Sequence, residues 1–126
     1  MTEFKHQELT KVIIGCAMTV HNELGNGFPE NIYQRSLAIE LQREGLAFQK
    51  EIYLPIFYRE QNVGSRRADF LVEGRVILEL KAITELTTVH HAQIINYLKA
   101  YRIEIGLLLN FGFISLEVKR FIKTII

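Results

Sequence analysis

Between Arg67 and Lys81 the chain follows a pattern that suits an extended hairpin and little else. Ala68, Phe70 and Val72 are apolar while Arg67, Asp69 and Glu73 are polar; beyond Gly74, Val76, Leu78 and Leu80 stand against Ile77, Glu79 and Lys81. Each segment therefore reads as a strand with one apolar face. A hairpin must put both apolar sets on the same side, so opposed residues have numbers that sum to an even value. A turn centred on Gly74 then sets Asp69 opposite Glu79, with Lys81 two residues along on the same face. A two-residue Glu73-Gly74 turn would shift the register by one and split Phe70 and Val72 from their partners, which the burial pattern disfavours.

Directly opposed strand residues have Cβ atoms about 4.5–5.5 Å apart, too close for two carboxylates to stay charged without compensation. Magnesium or manganese would supply it, and two acids with an amine beside them equip a site for metal-assisted phosphodiester chemistry. A solvated strand face with an acid-lysine cross-strand pair accounts for the same string of residues.

The chain has 126 residues and a formal net charge of +1, which points to one domain spanning 1–126 with a real core. It argues against a protein that grips nucleic acid by bulk electrostatics. Cys16 is the single cysteine, so no intrachain disulfide framework is available, and its place in an apolar helical pattern suggests a buried, inert thiol. Met1-Thr2-Glu3-Phe4-Lys5 lacks the plan of a signal peptide and no apolar run is long enough to span a bilayer, so no membrane partner and a cytoplasmic location are expected.

The remaining elements follow from periodicity. Leu9, Val12, Ile13, Cys16, Val20 and Leu24 recur at helical spacing, and Gly25-Asn26-Gly27 suits the left-handed end of such a helix. A second helix takes Pro29 into its first turn, carries Tyr33, Leu37, Ala38 and Leu41 on one stripe and stops at Gly45. Ile52, Leu54, Ile56 and Tyr58 alternate as a strand, connected through Gln61-Asn62-Val63-Gly64 to the Asp69 hairpin. A third helix over His90 to Tyr101, a buried strand over Ile105 to Asn110 and an edge strand over Ser115 to Phe121 complete the order α-α-β-β-β-α-β-β. The helical connection between the Glu79 and Leu107 strands is long enough for a parallel crossover. The fold class is thus α/β, a mixed β-sheet flanked by helices.

Asp69 and Glu79-Leu80-Lys81 within this order resemble the PD-(D/E)xK nuclease superfamily, with Ala68 in place of the proline that names the motif. Gly27-Phe28-Pro29-Glu30-Asn31-Ile32-Tyr33 and Asn110-Phe111-Gly112 are similar to the small GxxExxY protein family. The resemblance implies a restriction-endonuclease-like core in which Glu30 joins Asp69 and Glu79 in holding Mg2+ or Mn2+. The residues alone also allow Glu30 a simpler role, as a carboxylate favoured by the helix dipole. Tyr33, on the same helical face, reads as a core aromatic with a tethered hydroxyl. Gln93-Ile94-Ile95-Asn96-Tyr97 resembles the QxxxY motif of RecB-type members; the spacing puts Gln93 and Tyr97 on one helical face, able to orient the lysine, a water or a phosphate, or simply to meet solvent. His90 and His91 point apart and read as capping or surface residues, and His6 and His21 carry no partner pattern. Alternation sends Arg67 to the acid face, where it would contact a phosphate or pair with a carboxylate, and Arg66 to solvent.

The expected activity is hydrolysis of a nucleic-acid phosphodiester, in DNA before RNA, with Asp69, Glu79, Lys81, Gln93 and Tyr97 as catalytic residues. The alternative is a catalytically silent nuclease fold that binds nucleic acid or a protein. Specific DNA interfaces bury about 1,000 Å² or more, so a chain this small would gain from a homodimer or a partner protein. The apolar end from Phe121 to Ile126 offers one dimer surface.

Overall fold

A computed structural model describes residues 6–123. It contains α1 (Gln7–Leu24), α2 (Glu30–Arg43), β1 (Phe48–Tyr58), β2 (Gln61–Val72), β3 (Val76–Lys81), α3 (Thr88–Tyr101), β4 (Ile105–Asn110) and β5 (Glu117–Ile122), the order read from the sequence. The strands form one sheet in the order β1-β2-β3-β4-β5, antiparallel throughout except for the β3–β4 pair, which is parallel. α3 is the crossover that makes it so.

Helices cover both faces. Ile13, Ala17 and Val20 of α1 and Tyr33, Leu37 and Leu41 of α2 pack with Phe70, Val72, Val76, Leu78, Leu80, Leu107 and Leu109. On the opposite face Tyr97 and Leu98 of α3 pack with Ala68 and Ile77, flanked by Leu71 and Phe121. The expectation of a single apolar face is therefore corrected: every residue from Val76 to Leu80 is buried, including Ile77, which alternation had set on the polar side. A strand at the centre of a three-layer sandwich needs apolar groups on both sides, and its polar residues stand out against that background. β4 is buried along its whole length. A Cβ on Gly106 would lie 3.0 Å from side-chain atoms of Ile94 and Leu98, so this glycine lets α3 approach the sheet closely.

The β2–β3 register is the one read from alternation: Phe70 pairs with Leu78, Leu71 with Ile77 and Val72 with Val76. The turn passes through Glu73 and Gly74, at φ 54° and 64°. The β1–β2 connection differs from expectation. Gln61 to Gly64 lie in β2, and the turn is Arg59-Glu60, both at positive φ (49° and 66°). Such a two-residue hairpin normally carries Asn or Gly, and the absence of both hid it. Because β3 pairs with β2 only from Phe70 to Val72, the outer parts of β1 and β2 project past β3 as a two-stranded arm.

α1 ends at Gly25, φ 69°, and Pro29 precedes the first residue of α2 as its cap. The edge strand β5 includes Phe121 and Ile122, both half-buried; residues 124–126 of the apolar end, like the first five residues of the chain, lie outside the described residues. Among the described residues no helix is long and apolar enough to cross a membrane.

Candidate active site

Asp69 and Glu79 sit one rung beyond the last β2–β3 pair, where side chains replace the backbone ladder. The Asp69 N–H donates to Glu79 Oε1 at 3.1 Å, and the Leu80 N–H donates to Asp69 Oδ2 at 2.8 Å. Each carboxylate is thus tied to the opposite strand, and both are buried, at 5% and 6% exposure. Burial raises the Asp69 carboxyl above the ordinary range, against the Leu80 hydrogen bond, which lowers it. Burial and then the Asp69 charge push Glu79 up to about 8. The cause is physical and mutual: two carboxylates removed from water favour a retained proton until a cation offsets them.

Two cations, Lys81 and Arg67, and two further acids, Glu30 and Glu51, act on this pair. The charge of half-buried Lys81 favours the ionised forms of Asp69, Glu79 and Glu30. Glu30, in the first turn of α2, is raised by partial burial and then by Asp69. Arg67 lies close enough to lower both Glu30 and Asp69, and its guanidinium pairs with Glu51 at 3.5 Å. Arg66 is exposed, as alternation suggested, and it also lines an open cleft together with Gln93 and Tyr97. Ala68 likewise packs toward α3 while Phe70 packs toward α1 and α2. The alternation is broken at Asp69, beside Glu51 at φ 54°, so the inner and outer parts of β2 present opposite parities to α3.

The expected residues of α3 come to the same end of the sheet. Tyr97 is buried, and its hydroxyl is raised by desolvation and then by the negative charge of Glu79. Gln93 lies one turn before it on the cleft wall. His90 caps the helix, its Nδ1 accepting from the Thr87 N–H at 3.2 Å, and burial lowers its pKa. His91 packs its ring on Phe121, with centroids 5.3 Å apart.

Oxygen donors from buried carboxylates suit a hard divalent cation, and burial makes such a charge valuable here. As the side chains stand, no group of three or more His, Cys, Asp or Glu among the described residues is arranged to hold an ion. Glu79 is turned toward the Asp69 amide and Asp69 toward the Leu80 amide.

A family model, that of a nuclease superfamily, matches residues 7–121, nearly the whole chain. The chain belongs to the PD-(D/E)XK nuclease superfamily. Its fold is similar to the crystal structure of SSO0001, with a TM-score of 0.59 and 17% identity. That match covers 77% of this chain and 52% of the other, so the chain spans about half the length of its structural neighbour. No curated protein matches it in sequence.

Several contacts that shape this candidate site were not read from the sequence. Gln34 donates to the Asp69 carbonyl at 3.4 Å, joining α2 to the site strand; its position four residues after Glu30 was the available signal. Asn110, fully buried, accepts from the Ile83 and Gly112 amides at 3.0 Å each and donates to the Ile83 carbonyl and Glu117 Oε1 at 3.0 and 2.7 Å. It locks the chain leaving Lys81 to the end of β4, which gives the Asn110-Phe111-Gly112 motif a physical reason. His21, read as partnerless, is buried and its Nε2 lies 3.0 Å from the Phe113 carbonyl. Tyr33 meets its expectation. Its hydroxyl donates to the Gly25 carbonyl at 2.5 Å and accepts from the Phe28 N–H at 3.2 Å, while its ring stacks on Phe111.

Proposed function

We propose that this chain is a metal-dependent nuclease that hydrolyses nucleic-acid phosphodiester bonds, DNA before RNA. The observation that carries the reading is the buried Asp69–Glu79 pair beside Lys81, with Glu79 pushed up to about 8. A protein gains nothing in stability from two such acids, and a buried pair of this kind is characteristic of sites built for charge. In this proposal Asp69 and Glu79, with Glu30 at the mouth, hold Mg2+ or Mn2+, which supplies Lewis-acid charge that eases ionisation of water and shields the phosphate. Lys81 positions the attacking water and offsets charge that develops on the phosphoryl oxygens. Gln93 and Tyr97 orient that water or a phosphate oxygen by hydrogen bonds from the α3 side, and Arg67 supports the substrate phosphate. The similarity of Gly27 to Tyr33 to the GxxExxY family supports Glu30 as part of the set.

A homodimer or a protein partner supplies the grip that so small a chain lacks. The cytoplasm, where nucleic acid and free thiols such as Cys16 coexist, is the proposed place of action.

One observation favours a second reading. Both carboxylates are already engaged by backbone amides, as expected of a catalytically silent module that uses the nuclease fold for binding. The test is incubation of the purified protein with labelled single- and double-stranded DNA and RNA in Mg2+, Mn2+ or EDTA, beside Asp69→Ala and Lys81→Ala. The nuclease reading expects cleavage in Mg2+ or Mn2+ that EDTA and both substitutions abolish. Cleavage that survives both substitutions, or neither cleavage nor metal binding under any condition, overturns it.

A further inference from the structure

The β1–β2 arm and α3 line an open cleft of about 670 Å³, and one of its walls is Tyr97, which feels the charges of Glu79 and Asp69. Volumes of about 300–1,000 Å³ hold compact ligands of nucleotide size. Leu54, Ile56 and Phe57 give it an apolar floor and Arg66 and Lys99 give it two cations; Gln93 and Tyr97 join it to the catalytic face. No acid lines it, although Asp69, Glu79 and Glu51 lie nearby. The arm also carries exposed aromatics: Phe57 is 61% exposed and Tyr58 63%, and the Arg59 guanidinium lies 5.6 Å from the Tyr58 ring centroid. Large aromatic groups on a ribbon without other cover are costly in water unless something stacks on them.

We propose that this cleft holds unpaired nucleotides next to the scissile phosphate, so that the substrate is single-stranded or locally melted nucleic acid. The inference rests on the nuclease reading for the position of the reacting phosphate. Its logic is separate. Unpaired bases expose their faces and can stack on Phe57, whereas bases in a duplex are already stacked and paired. Arg66 and Lys99 meet the backbone phosphates, and the Asn96 and Gln93 amides on the same wall meet base edges. A positively charged groove combined with aromatic platforms is the arrangement that binds single strands with little regard to sequence.

The test measures binding without cleavage. Fluorescence anisotropy is read in EDTA on the Glu79→Gln protein, with a labelled ten-nucleotide DNA, its RNA counterpart and a blunt hairpin duplex. Single strands of either sugar are expected to bind at least about tenfold more tightly than the duplex. Phe57→Ala is expected to weaken single-strand binding by about 5- to 100-fold. Arg66→Ala/Lys99→Ala should lower the slope of log K against log salt by about 1.4, two phosphate contacts at about 0.7 each. These residues are exposed, so thermal melts should show the variants folded. Duplex binding as tight as single-strand binding, indifference to both variants, or inorganic polyphosphate competing as well per phosphate as the oligonucleotide overturns the proposal. Failure of the two readings is distinguishable. Wild-type cleavage of blunt duplex that Arg66→Ala/Lys99→Ala leaves untouched keeps the nuclease and removes the single-strand cleft; selective single-strand binding by a protein that never cleaves does the reverse.

Discussion

Glu79→Gln should change stability with opposite signs at low and high pH. Glu79 has an ordinary value of 4.5 and stands at about 8 in the fold. The folded state therefore holds the proton more tightly than the unfolded chain, and the protein is stabilised by this group below about pH 4.5 and loses that stability as pH rises to about 8. At about 1.36 kcal/mol per pH unit the rise corresponds to a ceiling of roughly 5 kcal/mol. Gln keeps the shape and an oxygen for the Asp69 N–H, removes the charge, and adds an amide N–H pair whose burial costs about 1–3 kcal/mol. The net expectation at pH 9 is stabilisation by about 2–3 kcal/mol. Near pH 5 the carboxyl is already protonated, and the variant should be about 1 kcal/mol less stable. For a chain of this size about 1 kcal/mol moves Tm by roughly 3–5 °C, so circular dichroism melts in EDTA should show the variant higher by about 6–15 °C at pH 9 and slightly lower at pH 5. Mg2+ should raise the wild-type Tm at pH 8 and raise the variant's less. A difference in Tm that does not depend on pH, or a variant less stable than wild type at pH 9, refutes the account of Glu79 as a buried, strained acid.

Gly112→Ala should be strongly destabilising, by roughly 3 kcal/mol or more, because its Cβ would collide with the Ile83 backbone and neither strand end can give way without breaking the Asn110 bonds; urea unfolding will measure it. Tyr33→Phe removes a buried hydroxyl from the Gly25 carbonyl and the Phe28 amide, which should cost about 1–2 kcal/mol in the same assay. Burial raises the Cys16 thiol to about 11, so thiol reagents should label the native protein very slowly at pH 8 and rapidly in urea; rapid native labelling would contradict the burial.

Cys16, Tyr33 and the β2–β3 register were legible because each follows from local pattern. Helical spacing puts Cys16 and Tyr33 on buried stripes, and alternation about Gly74 admits one register with consistent faces. The acid pair was legible for the same reason, since directly opposed positions need no knowledge of the remaining fold. The side on which Ala68 packs was misread because alternation assumes an unbroken strand, and Ala68 faces α3 while Phe70 faces α1 and α2, across a break at Asp69 beside Glu51. The Arg59-Glu60 turn escaped because its conformation is imposed by the strands it joins and not by its own residue types. The contact of His21 with Phe113 and the bonds of Asn110 to Ile83 escaped because these residues, far apart in the chain, become neighbours only in the folded structure.

The sequence by itself determined the order of elements, the parallel crossover and the placing of two carboxylates and a lysine at the centre of a hairpin. Periodicity and turn chemistry are properties of neighbouring residues, and they carry that much. Only the tertiary structure decided that both faces of the hairpin are covered, that each carboxylate is held by an amide of the other strand, and that Arg66 and α3 line an open cleft. Those outcomes depend on which surfaces meet, and burial between layers is what turns an ordinary pair of acids into one that holds a proton up to about pH 8.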